Sequence, residues 1–345
     1  MRVEIQWGPD LDPFPDGWHP GGVFASANFL SVVASEIGGT PGWLRITERE
    51  GSHVSFAIPV VVKQGPLGEV WNSIGYFGSP GGIYSSEEVE RETASRILAE
   101  IRAFLDNRGD VASFTLMTGV DAPRWFSSIE EVLGRSWIVT RRRAQVTDLS
   151  AFADSEEFFA ALPSARRRNI RKAQREGVHV RFSESEEDMD FLARVHHDNI
   201  TEIGGLPKRR EFFDGIRSKC EPEFWKLAVA EVSDERVAAL LMLKNGPIIE
   251  YFTPAVVKSW RASQAMVHVD FVAMSWALSA GYLTWNWGGT HENQESLHRF
   301  KAQWLAVDTP YNYLTLVVNR DLREEDVRIF SDSYRYLFVY PFGRA

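Results

Sequence analysis

The feature that most constrains the fold of this chain is an order of predicted elements that occurs in both halves. In the second half, a helix precedes three strands, and a long helix, a strand, a helix and a last strand follow them. The three strands are joined at Ser233-Asp234-Glu235 and Asn245-Gly246, and such sequences are typical of hairpin turns. The first half predicts a similar series. We therefore expect an α/β (α+β) protein whose mixed, mostly antiparallel sheets are flanked by helices.

The length of the chain predicts two domains, because 345 residues exceed what one hydrophobic core usually holds. We expect the first domain to span 1–147 and the second to span 148–345. In the second domain, the three strands are predicted at 225–231, 237–244 and 247–252 and the long helix at 263–280.

The composition is that of a globular protein, with 44% hydrophobic residues, 25% charged residues and a net charge of −9. The single cysteine, Cys220, excludes internal disulfides and offers no cluster of metal ligands. The first residues lack an apolar signal core, and no run of eighteen apolar residues occurs. We therefore expect a cytoplasmic protein with no membrane span, no bound metal and no resident cofactor.

A basic helix is predicted at 164–176, capped by Ser164 and ended by Gly177 in a left-handed conformation. Ile170 and Ala173 can anchor one side of it to a core. Its other side carries four cations at i, i+3, i+4 and i+7: Arg168, Arg171, Lys172 and Arg175. Like charges at this spacing repel by tenths of a kcal/mol per pair, so the face predicts an anionic partner. A solvated surface helix is the alternative.

Segments of the second half together resemble the Fem-type (FemABX-like) aminoacyltransferases, whose domains have the acyl-transfer fold called GNAT. They are the basic run 166–180, Tyr251, Ala280-Gly281-Tyr282 with Trp287-Gly288-Gly289-Thr290, and Leu297-His298-Arg299-Phe300-Lys301. The resemblance implies two tandem GNAT-like domains. No long charged heptad hairpin interrupts residues 183–250, so the arm-less members of the family match better.

The function implied by this resemblance is transfer of an amino acid from aminoacyl-tRNA to an amine, with formation of an amide bond. The amine belongs to a peptide, a nucleotide-linked peptidoglycan precursor or a peptide-like metabolite, and the enzyme is expected to act as a monomer. Phe300 and Lys301 are implied to contact the end of the aminoacyl-tRNA and the reacting centre. Elementary chemistry agrees, since a cation such as Lys301 suits the negative charge of the transition state. The alternatives are a core phenylalanine and a surface lysine.

The candidate substrate-binding residues are spread over both predicted domains. The resemblance implies that at least one of Arg167, Arg168 and Arg171 binds the diphosphate of the acceptor, and Arg168 is the foremost of them. Tyr251 and Tyr76 are further candidates for substrate binding. For Tyr251, capping of a buried strand is the alternative reading.

A second function is acyl-CoA-dependent transfer to an amino sugar or a polyamine. A loop that cradles pyrophosphate needs glycine for close approach, and the segment 258–265, where such a loop is expected, contains none. This absence disfavours the coenzyme A donor. A third possibility is a degenerate GNAT scaffold that only binds nucleic acid or protein, and the Phe300-Lys301 pair disfavours it.

No general base is nominated from the sequence. Asp270 on the long helix is either a base or a carboxylate that faces solvent. His196 and His197 lie about 100° apart on a helix, which disfavours a joint metal site.

Overall fold

The computed structural model describes residues 1–8, 22–47, 55–74, 81–85, 89–121, 133, 137–290, 294–319, 329 and 332–337. Its strands, in chain order, are β1 (Arg2–Trp7), β2 (Thr40–Thr47), β3 (Phe56–Gly65), β4 (Gly68–Asn72), β5 (Tyr84–Ser85), β6 (Val111–Met117), β7 (Trp137–Asp148), β8 (His179–Ser183), β9 (Trp225–Val232), β10 (Glu235–Asn245), β11 (Ile248–Val256), β12 (Thr284–Gly289) and β13 (Val307–Val317). Its α-helices are α1 (Ala27–Ile37), α2 (Arg91–Asp106), α3 (Ser155–Ala161), α4 (Ser164–Arg175), α5 (Glu186–Glu202), α6 (Arg210–Lys219), α7 (Ala265–Ser279) and α8 (Glu295–Ala302).

The chain divides into two compact units, Met1–Arg142 with Pro310–Ala345, and Arg143–Thr309. In the first unit the strands follow the order β1-β2-β3-β4-β6-β13, and β4 and β6 are the parallel pair. In the second unit the order is β7-β12-β11-β10-β9-β8, and β11 and β12 are the parallel pair. The other neighbours in these two orders are antiparallel.

Each unit therefore contains three consecutive antiparallel strands, a long helix and a parallel strand. In chain order, β5 and α2 lie between β4 and β6, and α7 lies between β11 and β12. This arrangement confirms the predicted α/β fold with mixed, mostly antiparallel sheets flanked by helices.

The division between the units differs from the predicted boundary at 147/148. Residues 144–148 of β7 pair with β12 of the second unit. Residues 313–317 of β13 pair with β6 of the first unit. These pairings place the end of β7 with the second unit and residues 313–317 of β13 with the first.

The core of the second unit positions the candidate site. The helix α7 packs over the sheet with α4, and their apolar residues join the indoles of Trp285, Trp287 and Trp304. Pro163 occupies the N-cap position of α4, and no side chain caps the helix. The predicted capping by Ser164 is therefore wrong. Gly177 ends the helix as predicted, with φ +75°.

The pairing of β13 with β6 can be tested at Thr115 and Thr315, whose buried hydroxyls lie 3.0 Å apart. We expect Thr115→Val alone to lower the free energy of unfolding by about 1–3 kcal/mol, because the Thr315 hydroxyl loses a partner. Adding Thr315→Val should cost less than the sum of the two single changes. Urea unfolding of the four proteins measures this coupling, and strictly additive losses would contradict the pairing.

Candidate active site

The basic helix contributes a buried arginine that the sequence analysis did not single out. Arg166 is 2% exposed, and its guanidinium lies 4.7 Å from the ring centre of Phe300 and 4.6 Å from that of Trp304. It donates hydrogen bonds to the Phe300 carbonyl oxygen at 3.1 Å and to Gln303 Oε1 at 2.8 Å. The basic helix is thereby joined to the segment that carries the Phe-Lys pair. Burial lowers the pKa of Arg166, and Asp270 and Tyr251 act in the opposite direction.

Lys301 is buried, so the alternative of a surface lysine is wrong. It is 3% exposed, and its ammonium donates to the carbonyl oxygens of Gly288 and Gly289, both at 3.0 Å. The third donor reaches the Thr290 hydroxyl at 2.8 Å. Three acceptors match the three N–H groups of a charged ammonium, while burial lowers the pKa of Lys301 to about 8.

A chain of hydrogen bonds extends from Lys301 to β7. The Thr290 hydroxyl donates to Gln145 Oε1 at 3.1 Å, and Gln145 Nε2 donates to the His298 carbonyl oxygen at 3.2 Å. The chain holds the end of β12 and the helix α8 at a fixed spacing. In the described part of the molecule, neither Lys301 nor Arg166 forms an ion pair with a carboxylate.

The parallel strands β11 and β12 diverge beside these cations. They pair from Ile248 to Glu250 against Thr284 to Asn286, and no further pairing follows within the described residues. We call this point the fork. Tyr251 and Trp287 are the first residues beyond it, with ring centres 4.8 Å apart. In α/β sheets, a crevice where neighbouring strands separate at their carboxyl ends is the usual place for a ligand.

Two local irregularities open the fork. On β12, Asn286 donates to Glu250 Oε2 at 2.8 Å and accepts the Gly288 N–H at 2.9 Å. Gly288 adopts φ +71°, which favours glycine, and its carbonyl faces Lys301. On β11, the register against β10 shifts next to Tyr251, as expected of a β-bulge.

The carboxylate of Asp270 is completely buried beneath this site. It is 0% exposed on α7, so it does not face solvent. No donor of the described residues makes a hydrogen bond of good geometry to either oxygen, although the Tyr251 hydroxyl lies near enough to influence its titration. Burial raises the pKa of Asp270 well above its ordinary value, and Arg166 opposes this effect. Burial likewise raises the pKa of Tyr251.

The structure brings three of the predicted site residues together and leaves others apart. Phe300, Lys301 and Tyr251 lie around the fork, where Trp287 contacts Phe300 edge-on with ring centres 6.1 Å apart. Arg166 completes this group, and its spacing from Ile170 and Ala173 places it in the apolar series of α4. That spacing is the signal by which the sequence could have revealed it.

The predicted arginines of α4 lie outside this group. Arg167 donates to the Ala160 carbonyl oxygen at 2.7 Å, and Arg171 lies 5.1 Å from the Phe159 ring centre. Arg168 is exposed and has no side-chain partner within the described ranges. Tyr76 lies outside the described residues.

The segment expected to hold a pyrophosphate cradle has another structure. Lys258–Ser263 forms a 3-10 helix, and Gln264 follows it with φ +64°. Lys258 and Arg261 both form ion pairs with Glu202, the latter at 2.8 Å. The cations of this segment are therefore already paired with a carboxylate.

The histidine pair has two separate environments. His196 is buried and accepts the Lys208 N–H at 3.2 Å, whereas His197 is exposed beside Asp198. Within the residues that the structure describes, no group of His, Cys, Asp and Glu side chains could hold a metal ion. The Cys220 thiol is buried, which raises its pKa to about 12.

Comparison with known proteins adds independent evidence on the class. Residues 164–302 match the family described as Acetyltransferase (GNAT) domain. Over 175 residues the chain is 23% identical to the UDP-N-acetylmuramoylpentapeptide-lysine N(6)-alanyltransferase of Weissella viridescens, covering 50% of this chain and 52% of that protein. The match thus spans about half the length of this curated relative.

Solved structures show the same fold at low identity. The crystal structure of FemX has a TM-score of 0.66 at 12% identity and covers 87% of this chain and 92% of its own. A tandem GNAT protein from the clavulanic acid biosynthesis pathway, solved without AcCoA, has a TM-score of 0.54 at 11% identity. The match covers 93% of this chain and 100% of that protein.

The fold and the match of residues 164–302 make this chain similar to proteins that contain a GNAT domain. These matches agree with the resemblance to the Fem-type (FemABX-like) proteins that the motifs indicate. None of the helices in the described part is both long and apolar enough to cross a membrane.

The charge of Lys301 predicts a pH dependence of stability. Its pKa is about 8 in the folded protein and 10.5 as the ordinary value. Between these two pH values, the Lys301 side chain binds more protons in the unfolded chain than in the folded protein. Its contribution to the free energy of unfolding therefore increases as pH rises, by up to about 1.4 kcal/mol per pH unit. We therefore expect the stability of the wild type relative to Lys301→Met to increase from pH 8 to pH 10.5. Urea unfolding measures it, and a constant or falling difference would contradict the buried charge.

Proposed function

We propose that this protein moves an amino acid from aminoacyl-tRNA to an amine of a peptide or a nucleotide-linked peptidoglycan precursor. The observation that carries the proposal is the pair of buried cations at the fork: Arg166 lies against the Phe300 ring, and Lys301 lies against the end of β12. Neither cation is neutralised by a carboxylate in the described part of the molecule. Such a site suits a reaction in which negative charge develops on oxygen.

The reaction joins the amine nitrogen to the ester carbonyl carbon and breaks the bond between that carbon and the ribose oxygen. Negative charge develops first on the carbonyl oxygen and then on the departing ribose oxygen. Lys301 supplies positive charge beside these atoms. Of its three partners, the Thr290 hydroxyl is the one it can release, because that hydroxyl keeps its bond to Gln145. Phe300 provides an apolar surface next to the reacting centre.

The exposed face of α4 supports a polyanionic donor. Arg168 and Arg175 are seven residues apart, so they project from the same face, and neither has a side-chain partner among the described residues. Arg171 and Lys172 lie between them. Arg167, Arg168 and Arg171 remain the proposed contacts for an acceptor diphosphate, with Tyr251 and Tyr76 as further substrate contacts. Because aminoacyl-tRNA is a cytoplasmic substrate, we expect the protein to act there, as a monomer with no cofactor.

The alternative is an acyl-CoA donor with an amino sugar or a polyamine as acceptor. AcCoA is named for the tandem GNAT protein of similar fold, and this keeps an acyl-CoA donor open. The 3-10 helix at Lys258–Ser263 and its ion pairs with Glu202 favour the tRNA donor, since no glycine loop is present in that segment to approach a pyrophosphate.

Replacing Lys301 by methionine should remove charge stabilisation while the side chain keeps a similar length. We expect the rate of transfer to fall by about 10²–10³-fold, measured by single turnover with labelled alanyl-tRNA and UDP-N-acetylmuramoyl-pentapeptide. Circular dichroism shows whether the variant is folded under assay conditions. A folded variant with the wild-type rate would remove Lys301 from the mechanism.

The donor is tested by the salt dependence of binding. If tRNA binds α4 through several phosphates, the affinity for alanyl-tRNA should fall steeply between 50 and 200 mM salt, which is about the range where counterion release dominates. We expect Arg168→Ala with Arg175→Ala to weaken binding and flatten this dependence. The matched control, Arg194→Ala with Lys219→Ala, removes equal charge from α5 and α6. Salt-independent transfer from acetyl-CoA, with no binding of tRNA, would favour the alternative.

A further inference from the structure

Glu250 and Asn286 form the last pair of β11 and β12, at the point where the fork begins. Both residues are buried, with 7% and 6% of their surface exposed, and Asn286 Nδ2 donates to Glu250 Oε2 at 2.8 Å. A buried carboxylate carries a free-energy cost that apolar side chains of similar volume avoid. Packing alone therefore does not explain why this pair is polar.

Asn286 connects the carboxylate of Glu250 to the backbone that binds Lys301. Its Oδ1 accepts the N–H of Gly288 at 2.9 Å, and the carbonyl oxygen of Gly288 accepts from Lys301 Nζ at 3.0 Å. Among the described residues, no atom outside its chain neighbours lies within 4 Å of the position that a Cβ of Gly288 would occupy. Hydrogen bonds rather than side-chain packing therefore hold this glycine in its conformation, at φ +71°.

The carboxylate strengthens the connection between Asn286 and Gly288. When an amide donates to a charged acceptor, its own oxygen becomes a better acceptor, because hydrogen bonds in a chain polarise one another. Asn286 is such an amide, since it donates to Glu250 through its nitrogen and accepts from Gly288 through its oxygen. Glu250 therefore acts on the end of β12 through Asn286.

The carbonyl of Gly288 is important to the reaction because of what Lys301 keeps during it. Lys301 also donates to the Gly289 carbonyl oxygen and to the Thr290 hydroxyl. If the hydroxyl is the partner that Lys301 releases, the two carbonyl oxygens are the acceptors that remain. The direction of the ammonium then depends on how firmly Gly288 and Gly289 are held.

Resting on the aminoacyl transfer proposed above, we propose that Asn286 and Glu250 are positioning residues that hold the Lys301 ammonium, through the carbonyl of Gly288, toward the oxygen on which negative charge develops. Neither residue touches the substrates. A catalytic group misplaced by about 1 Å can lose about 10²-fold in rate, so a small movement of Gly288 has a large effect.

Three changes separate the parts of this arrangement. Asn286→Ala removes both hydrogen bonds of the side chain. Asn286→Asp keeps an acceptor for the Gly288 N–H but places a second carboxylate against Glu250. Adding Glu250→Gln to Asn286→Asp restores the bond between the two side chains with donor and acceptor exchanged. The matched control is Asn199→Ala, because Asn199 also makes two hydrogen bonds, both at 3.0 Å, to the backbone of Val256 at the other end of β11.

Single-turnover rates are measured over a range of substrate concentrations, with alanyl-tRNA and UDP-N-acetylmuramoyl-pentapeptide and, in parallel, with acetyl-CoA and spermidine. We expect Asn286→Ala and Asn286→Asp to lower the rate at saturation by about 10- to 10²-fold and to change KM little. The exchanged pair should recover most of the rate, and Asn199→Ala should keep it. In the Lys301→Met background, Asn286→Ala should cause no further loss, because both changes act on one ammonium.

A second measurement does not depend on activity. The carbon resonance of the Lys301 ε-methylene, assigned by its absence from Lys301→Met, is titrated with pH. We expect Asn286→Ala to lower the pKa of Lys301 below its value of about 8, because the charged form loses a fixed acceptor, and Asn199→Ala to leave it unchanged. Thermal unfolding of the same proteins shows that each is folded.

The titration reports on Asn286 and Glu250 because every variant keeps the other charged or titratable groups around Lys301. These groups lie on α8 and on the elements packed against it: Glu295, His298 and Arg299 of α8, Arg166 of α4, Arg143 of β7 and Asp308 of β13.

Each other outcome overturns a defined part of the proposal. Wild-type rates and an unshifted titration of Lys301 in Asn286→Ala would overturn the positioning role. So would a loss of rate that adds in full to that of Lys301→Met, since the change would then act elsewhere. Failure of Glu250→Gln to rescue Asn286→Asp would remove Glu250 from the proposal. A wild type inactive in both reactions would overturn the proposed function, and the titration would still decide whether this pair fixes the Lys301 ammonium.

Discussion

The arrangement of the site depends on the stacking of one guanidinium between two aromatic rings. Arg166 lies between Phe300 and Trp304 and donates to the carbonyl oxygen of Phe300, near the carboxyl end of α8. A cation there also complements the partial negative charge of the helix end. Because a planar, delocalised cation tolerates burial against aromatic faces better than an ammonium does, the residue can be both charged and internal. It fixes α8 against α4, and Lys301 is carried into place with it.

Lys301, which follows Phe300 on α8, connects this part of the site to the end of β12. Lys301 donates to two consecutive carbonyl oxygens, those of Gly288 and Gly289, and the side chain of Asn286 accepts the N–H of Gly288. A backbone group that bonds to a side chain in this way is not available for pairing with β11. The separation of β12 from β11 is therefore built by specific polar contacts, and the opening of the fork does not rely on loose packing.

The sequence predicts the order of the elements better than it predicts the unit to which each strand belongs. Hairpin turns and apolar spacing located the strands, but only long-range hydrogen bonds decide that β13 pairs with β6 and that the end of β7 pairs with β12. The site shows the same limit. Motifs indicate Phe300, Lys301 and Tyr251, which lie together at the fork, whereas the charge of Arg166 obscures its position in the apolar series of α4. Asp270 was ambiguous, since its orientation depends on how α7 rotates over the sheet.

Two buried cations in a protein of net charge −9 have an energetic consequence of their own. Burial opposes the charge on both, as the lowered pKa values of Arg166 and Lys301 show. A structural role alone would be met at lower free-energy cost by apolar residues of similar volume. The nearby carboxylate of Asp270 does not pair with either cation, so the charges are kept apart at a cost in stability. Positive charge held in this way at the fork suits the proposed transfer from an ester to an amine, in which negative charge develops on oxygen during the reaction.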